Sequence, residues 1–133
     1  MNDVLFEAAT AVRMNAHAPF SGFKVGAALE SDDGRVFTGC NIENASYGLT
    51  MCAERNAIFH AYAEGVRKFR RLVVVADTEA PTPPCGACRQ IIFEMCGGEL
   101  AVDLANLAGV QKNFKMGDLL PEAFDASFLT DPH

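Results

Sequence analysis

Apolar residues recur along the chain first at helical and then at strand spacing. Asp3 precedes apolar positions spaced as on one helix face, which predicts a helix over residues 4–17 that ends before Pro19. Residues 23–29 then alternate as a strand, the sequence Ser-Asp-Asp-Gly signals a turn, and residues 35–40 have the pattern of a returning strand. The first third of the chain therefore predicts a helix followed by a β-hairpin.

The middle of the chain combines a helical pattern with one strongly apolar strand. A polar loop over residues 41–50 leads into a helical pattern over 52–64, and Gly65 follows as a stop signal. The uninterrupted apolar run at residues 72–76 indicates a strand that is covered on both faces.

The last third of the chain predicts one more helix and two more strands. Three prolines stiffen a loop over residues 79–84, and a helix that begins at residue 85 or 86 runs to about residue 96. Alternation over residues 100–104 predicts a fourth strand, and a weaker pattern over 110–116 predicts a fifth. Residues 117–120 have the pattern of a short helical turn.

This order of elements predicts an α/β fold. We expect residues 1–133 to form one domain, in which a mixed sheet of about five strands carries helices on its faces. The strand–helix–strand units should cross over in the right-handed sense.

The composition and net charge of the chain indicate which kinds of molecule it can bind. The chain is half apolar and carries a net charge of −6 without any basic run, which argues against DNA or RNA and is compatible with a small neutral substrate. No stretch approaches the roughly 20 apolar residues of a bilayer span, and the N-terminus lacks a secretory pattern. We therefore expect a cytoplasmic protein without a membrane partner, whose five cysteines stay reduced.

Two short segments carry the candidate chemistry, and they are Cys52-Ala53-Glu54 and Pro84-Cys85-Gly86-Ala87-Cys88. The Cys-x-x-Cys places two sulfurs at the start of a predicted helix, where both can face one point and the helix N-terminus favours thiolates. Cys52 begins another predicted helix and can supply a third thiolate. Three protein ligands leave one tetrahedral position of a zinc ion open, as a catalytic site requires.

Proton transfer and charge balance add two further candidates to this site. Glu54 stands two residues after Cys52, close enough to exchange protons with a water at the open position. Three thiolates and one Zn²⁺ sum to a charge of minus one, so the site needs positive charge nearby. We predict that Arg55 donates hydrogen bonds to cysteine sulfur, and Arg89 is the other available cation.

Other interpretations of these cysteines remain open at the level of residue spacing. A thioredoxin-like motif would explain the Cys-x-x-Cys but gives no role to Cys52 or Glu54. A closed structural zinc site needs a fourth ligand, for which Cys40 and Cys96 are candidates, although free buried cysteines are common. A non-catalytic binding module stabilised by zinc is therefore the rival from another class.

Beyond the metal pattern, longer segments resemble a known family. A zinc ligand, any residue and Glu, followed by Pro-Cys-x-x-Cys, is the signature of the zinc nucleobase deaminases. Over nearly its full length the chain resembles the small cytidine deaminases, and the matching segments are FKVGAA at 23–28, GCNIENASY at 39–47, CAER at 52–55 and PCGACRQ at 84–90. The resemblance implies a three-layer α-β-α fold, one Zn²⁺ on Cys52, Cys85 and Cys88, and Glu54 as the catalytic proton carrier.

The resemblance also implies how a nucleoside binds within one chain. Asn41 and Glu43 would hydrogen-bond the ribose, Phe23 would pack against the pyrimidine ring, and the backbone of Ala53 would contact the base. Asn41 and Glu43 stand two residues apart after a predicted strand, so their side chains should point to the same side.

Subunit contacts are a further implication of the resemblance. It implies a homotetramer in which Ala45 and Tyr47 reach the substrate of a neighbour and Phe124 stacks on the base from another chain. Pro83 departs from the family pattern, since many relatives have serine at this position. Proline lacks both the hydroxyl and the backbone N–H of serine, so contacts that use these groups are lost.

The reaction implied by the resemblance is the hydrolytic deamination of cytidine and 2′-deoxycytidine to the uridine forms with release of ammonia. The alternative is a related deaminase that acts on blasticidin S, guanine or a tRNA adenosine. Enzymes for guanine and tRNA usually have histidine where this chain has Cys52. The segments at Phe23 and at residues 41–43 favour an ordinary nucleoside.

Overall fold

Five strands form one mixed sheet in the computed structural model, which describes residues 3–130. The strands are β1 (Val25–Ser31), β2 (Val36–Cys40), β3 (Phe69–Ala76), β4 (Ala101–Asn106) and β5 (Gln111–Lys115). They lie in the order β2-β1-β3-β4-β5, with β3 parallel to β4 and the other neighbours antiparallel. The predicted mixed sheet is therefore confirmed.

Helices cover both faces of this sheet. The helices are α1 (Val4–Arg13), α2 (Ala53–Ala63), α3 (Gly86–Cys96) and the short α4 (Met116–Leu119) and α5 (Ser127–Thr130). Helix α1 packs on one face, and α2 and α3 pack on the other, so the α-β-α layering is confirmed. Within residues 3–130, no helix is both long and apolar enough to cross a lipid bilayer.

Alternating side chains of the central strands supply both halves of the core. Ala27 and Leu29 of β1 face α2 and α3, whereas Ala28 between them faces α1. In the same way Val74 and Val73 of β3 belong to opposite halves. Strands buried on both faces have this composition, which explains the continuous apolar run in β3.

The first helix is shorter than its apolar pattern predicts. It ends at Arg13, and the prediction that it continues to residue 17 is wrong. The backbone N–H of His17 donates to Asn41 O at 3.0 Å, and His17 O accepts from Glu43 N at 2.8 Å. This strand-like pairing needs extended backbone at His17, which a helix cannot provide.

Strand β3 begins earlier than its apolar run because charged residues form its first part. It starts at Phe69 rather than at residue 72, the predicted start. Arg71 donates to Asp3 Oδ2 and to Asp103 Oδ2, both at 2.6 Å. The arginine therefore has carboxylate partners at the N-cap of α1 and on β4, and these partners balance its charge within the sheet.

The close approach of α2 to the hairpin depends on Gly39. A Cβ added there would lie 2.4 Å from Ala57 N and 2.6 Å from Ala53 O. We expect Gly39→Ala to lower the free energy of unfolding by about 1–3 kcal/mol through overpacking, measured by thermal and urea denaturation. Gly48→Ala is the control, because its Cβ meets nothing within 4 Å. Equal stability of the two variants would contradict the expectation.

Candidate functional site

Three cysteines meet beside the starts of α2 and α3. Cys52 is the N-cap residue of α2, Cys85 is the N-cap residue of α3, and Cys88 lies in the first turn of α3. Their Sγ atoms all lie within 4.8 Å of one another. Tetrahedral zinc with Zn–S bonds of about 2.3 Å holds its sulfurs about 3.8 Å apart, so the spacing fits one ion bound by three thiolates.

The other two cysteines stay outside this sulfur cluster. Within the described part of the chain, neither Cys40 nor Cys96 joins the three grouped sulfurs. Burial raises the pKa of the Cys96 thiol to about 12 and also raises the pKa of Cys40. Both are protonated thiols at neutral pH, and residues 3–130 supply no fourth cysteine ligand that would close the site.

The sulfur cluster has the electrostatics of a cation site. The hydrogen bond from Cys88, together with Arg55, lowers the pKa of Cys52 to about 5. The same contact and burial raise the pKa of Cys88, because a second negative charge beside the first is unfavourable. All three sulfurs can be thiolates together only with a cation between them, and a divalent zinc ion provides that charge.

Two arginines near the cluster have different tasks. Arg55 Nη2 donates to Cys52 Sγ at 3.3 Å, so the predicted hydrogen bond to cysteine sulfur is confirmed. Arg89 Nε instead donates to Pro84 O at 2.9 Å, and its Nη1 donates to Leu119 O at 3.0 Å. Arg55 therefore balances thiolate charge, whereas Arg89 fixes the backbone that leads into α3.

Glu54 lies buried beside the sulfur cluster. Only 5% of the residue is exposed. Burial raises the pKa of its carboxyl to about 7, and the negative charge of Cys52 adds to this effect. A carboxyl group with a pKa near neutrality can both accept and release a proton at physiological pH, as a general acid–base catalyst must.

A cleft of about 270 Å³ leads to Cys52, Glu54 and Cys85. Its walls come from the segment before β1, the loop over residues 41–50, the start of α2 and the loop before α3. Five residues that the sequence singled out as substrate contacts line this cleft, and they are Phe23, Asn41, Glu43, Tyr47 and Ala53. The volume suits a small molecule and is too small for a polymer.

Asn41 uses its side chain to shape the cleft. Its Oδ1 accepts from Val25 N at 2.8 Å, and its Nδ2 donates to Phe23 O at 2.7 Å. Residues 23 and 24 were predicted as strand, but β1 begins at Val25 and the amide of Asn41 holds the preceding backbone. The amide therefore fixes the wall that carries the Phe23 ring.

Glu43 holds the opposite part of the same wall. Its Oε1 accepts from the backbone N–H groups of Phe20 and Ser21 at 3.0 and 3.1 Å, and Ser21 Oγ donates to Oε2. The Ser21 hydroxyl and these amides lower the pKa of Glu43, so the carboxylate is ionised. A carboxylate offers about four lone-pair sites, which leaves capacity for a ligand.

Comparison with known proteins assigns the fold and the metal site to one family. The sequence model described as "Cytidine and deoxycytidylate deaminase zinc-binding region" matches residues 2–104. The chain belongs to this family. It is 51% identical over 128 residues to a cytidine deaminase of Halalkalibacterium halodurans, with 96% of this chain and 97% of that one covered.

Solved structures support the same assignment. A cytidine deaminase from Burkholderia pseudomallei superimposes with a TM-score of 0.90 at 53% identity, covering 93% of this chain and 100% of that one. A cytidine deaminase from Mycobacterium tuberculosis gives a TM-score of 0.80 at 42% identity, covering 90% of this chain and 94% of that one. The predicted deaminase fold is therefore confirmed.

Two residues that the family resemblance singled out lie away from this cleft. Ala45 is exposed on the loop over residues 41–50, and neither it nor Phe124 lines the cleft of its own chain. Phe124 is 56% exposed and stacks on Phe128, with 5.7 Å between the ring centroids. Tyr47 is 62% exposed and reaches the rim of the cleft.

Several residues of this deaminase cleft escaped the sequence analysis. Val74 and Ala76 line it from the end of β3, beside the carboxyl end of the parallel strand β4, where ligands of α/β sheets bind. The location of ligand sites at the carboxyl ends of such strands could have identified Val74 and Ala76 from the sequence. Ser21, Thr50 and Thr82 also line the cleft from loops, and no motif marks them.

Proposed function

We propose that this protein is a zinc-dependent hydrolase that converts cytidine and 2′-deoxycytidine to uridine and 2′-deoxyuridine with release of ammonia. One observation carries the proposal, which is the buried Glu54 carboxyl beside three convergent thiols at the end of the cleft. The similar proteins named cytidine deaminase support the choice of substrate.

The metal ligands and the proton carrier have separate roles. Cys52, Cys85 and Cys88 would hold one zinc ion, which when bound would make a water acidic enough to act as a nucleophile near neutral pH. Glu54 accepts a proton from the attacking water and delivers it to ring N3 as the oxygen adds to C4. Glu54 then takes the second proton from the added hydroxyl group and passes it to the amine, so that C4 becomes a carbonyl as the C–N bond breaks and ammonia leaves. A pKa near neutrality suits both directions of transfer.

The cleft walls supply substrate contacts. Phe23 packs against the pyrimidine ring, and the backbone of Ala53 contacts the base. Asn41 and the remaining lone pair of Glu43 bind the ribose hydroxyls, while their other hydrogen bonds hold the wall in place. The predicted common side of Asn41 and Glu43 supports this role, because both line the cleft while Ile42 between them is exposed.

Neighbouring copies complete the site in this proposal. The functional unit is a homotetramer of 133-residue single domains, in which Ala45 and Tyr47 reach the substrate of a neighbour and Phe124 stacks on its base. Exposed aromatic rings at Tyr47 and Phe124 are compatible with burial between copies. Free thiols stay reduced in the cytoplasm, and a site made of three thiols supports that location.

A substrate panel and a metal analysis test the proposed function. Purified protein should contain one zinc per chain and convert cytidine and 2′-deoxycytidine, followed by ultraviolet absorbance and ammonia release. Blasticidin S and guanine serve as the competing substrates. Zinc-loaded protein that releases no ammonia from any nucleoside would overturn the assignment in favour of a binding module.

Arg55 should control the pH at which the enzyme becomes active. Its charge lowers the pKa of both Cys52 and Glu54, so Arg55→Gln removes this effect and raises both pKa values. The acid limb of kcat/KM should then move to higher pH, with a loss of about 10- to 100-fold in activity or zinc affinity. Arg35→Gln, at an exposed arginine, is the control. An unchanged acid limb would refute this role.

A further inference from the structure

Thr82 places a hydroxyl-bearing side chain on the cleft wall near the metal ligands. It lies three residues before Cys85 and lines the same cleft as Cys85 and Glu54. Pro83 beside it also lines the cleft. Thr82 is therefore a hydroxyl-bearing residue of the loop over residues 79–84 that borders the cleft.

Two hydrogen bonds fix the direction in which the Thr82 hydroxyl points. Thr78 Oγ1 donates to the carbonyl oxygen of Ala80, which can only accept. Thr82 Oγ1 lies 3.1 Å from Thr78 Oγ1. Since the single hydroxyl proton of Thr78 is already committed, Thr82 must donate in this contact. The Thr82 hydroxyl then has no free proton and keeps only lone pairs. It can therefore only accept a hydrogen bond from any other partner.

The neighbouring backbone reinforces this acceptor character. Pro83 and Pro84 have no backbone N–H, so they place no main-chain donor between Thr82 and Cys85. The loop is also held in place from outside, because the buried Asn106 donates from Nδ2 to Glu79 O at 2.8 Å. This part of the wall therefore presents acceptors in a fixed position.

We propose that Thr82 is a specificity-determining residue that favours the amine of the substrate over the carbonyl of the product. This inference rests on the proposed function. Cytosine carries an amino donor at the position where uracil carries a carbonyl acceptor. Lone pairs on Thr82 Oγ1 attract the N–H of the amine and repel the carbonyl oxygen. The residue thereby promotes binding of cytidine and release of uridine.

Isosteric variants of Thr82 test this directly. Thr82→Val keeps the shape and removes the lone pairs, so kcat/KM for cytidine should fall about fivefold, the value of one net hydrogen bond. The inhibition constant of uridine should stay unchanged or decrease. Thr82→Ser restores the hydroxyl and should return both constants to the wild-type values. Thermal denaturation of each variant separates these effects from loss of fold.

A change at Thr78 provides an independent test that leaves Thr82 in place. Thr78→Val removes the acceptor for the Thr82 proton, so this hydroxyl becomes free to donate to a carbonyl. Uridine should then inhibit about fivefold more tightly, with a smaller change for cytidine. The proposal is overturned if Thr82→Val changes kcat/KM for cytidine and the inhibition constant of uridine by the same factor, or changes neither of them. It is also overturned if Thr78→Val leaves the inhibition constant of uridine unchanged. Wild-type protein that does not convert cytidine would instead contradict the proposed function.

Discussion

Glu54→Gln is expected to remove nearly all turnover of cytidine while the protein keeps its zinc. Glutamine has the shape of glutamate but cannot carry a proton, and general acid–base catalysis contributes about 10²- to 10⁴-fold to rate. The three sulfurs that group around the metal position are unchanged by the substitution. Initial rates from ultraviolet absorbance and zinc content from atomic absorption give the two readouts.

Glu64→Gln is the matched control for this experiment. Glu64 follows the last turn of the same helix, α2, and is exposed, so its loss should leave both rate and zinc content unchanged. Substantial turnover by Glu54→Gln would show that another group carries the proton. Loss of zinc from Glu54→Gln would show instead that the carboxyl contributes to metal binding.

Cys88→Ala should release the zinc and abolish turnover. Cys88 is fully buried between α3 and the core, so its sulfur has no solvent-exposed alternative position. Two thiols remain in the variant. Because one of the three protein–metal bonds is lost, the zinc affinity of the site should fall strongly. The variant should also melt at a lower temperature, since metal binding stabilises the native state.

Cys96→Ala tests whether the effect is specific to the metal ligand. Cys96 is a half-buried thiol at the end of the same helix and lies outside the sulfur cluster. We expect this variant to retain zinc and turnover, with a modest loss of stability from the removed sulfur. If Cys88→Ala retained a full complement of zinc, the proposed ligand set would be wrong.

The metal chemistry was accessible from the sequence because it is encoded locally. Cys52 and Cys85 each stand immediately before a helix, and apolar periodicity located both helices to within a residue or two. The hydrogen bond of Arg55 to Cys52 spans three residues of one helical turn. Spacing along the chain therefore corresponds closely to spacing in the structure at this site.

Features that depend on distant segments could not be predicted in this way. The end of α1 is set by backbone pairing of His17 with Asn41 and Glu43, and this pairing overrides a favourable local helical pattern. The acceptor role of Thr82 depends on a loop conformation that no periodicity encodes. The family resemblance named the cleft residues, but their bonds to their own backbone became visible only in the structure.

The hydrogen bonds of Asn41 and Glu43 have a consequence for the thermodynamics of ligand binding. Both side chains are already held by the segment over residues 20–25 in the protein without a ligand. Ordering a free side chain on binding costs about 0.5–1.5 kcal/mol, and the cleft avoids this entropy loss at both positions. A nucleoside therefore meets a preorganised wall, and its binding free energy is available for orienting the base toward Glu54.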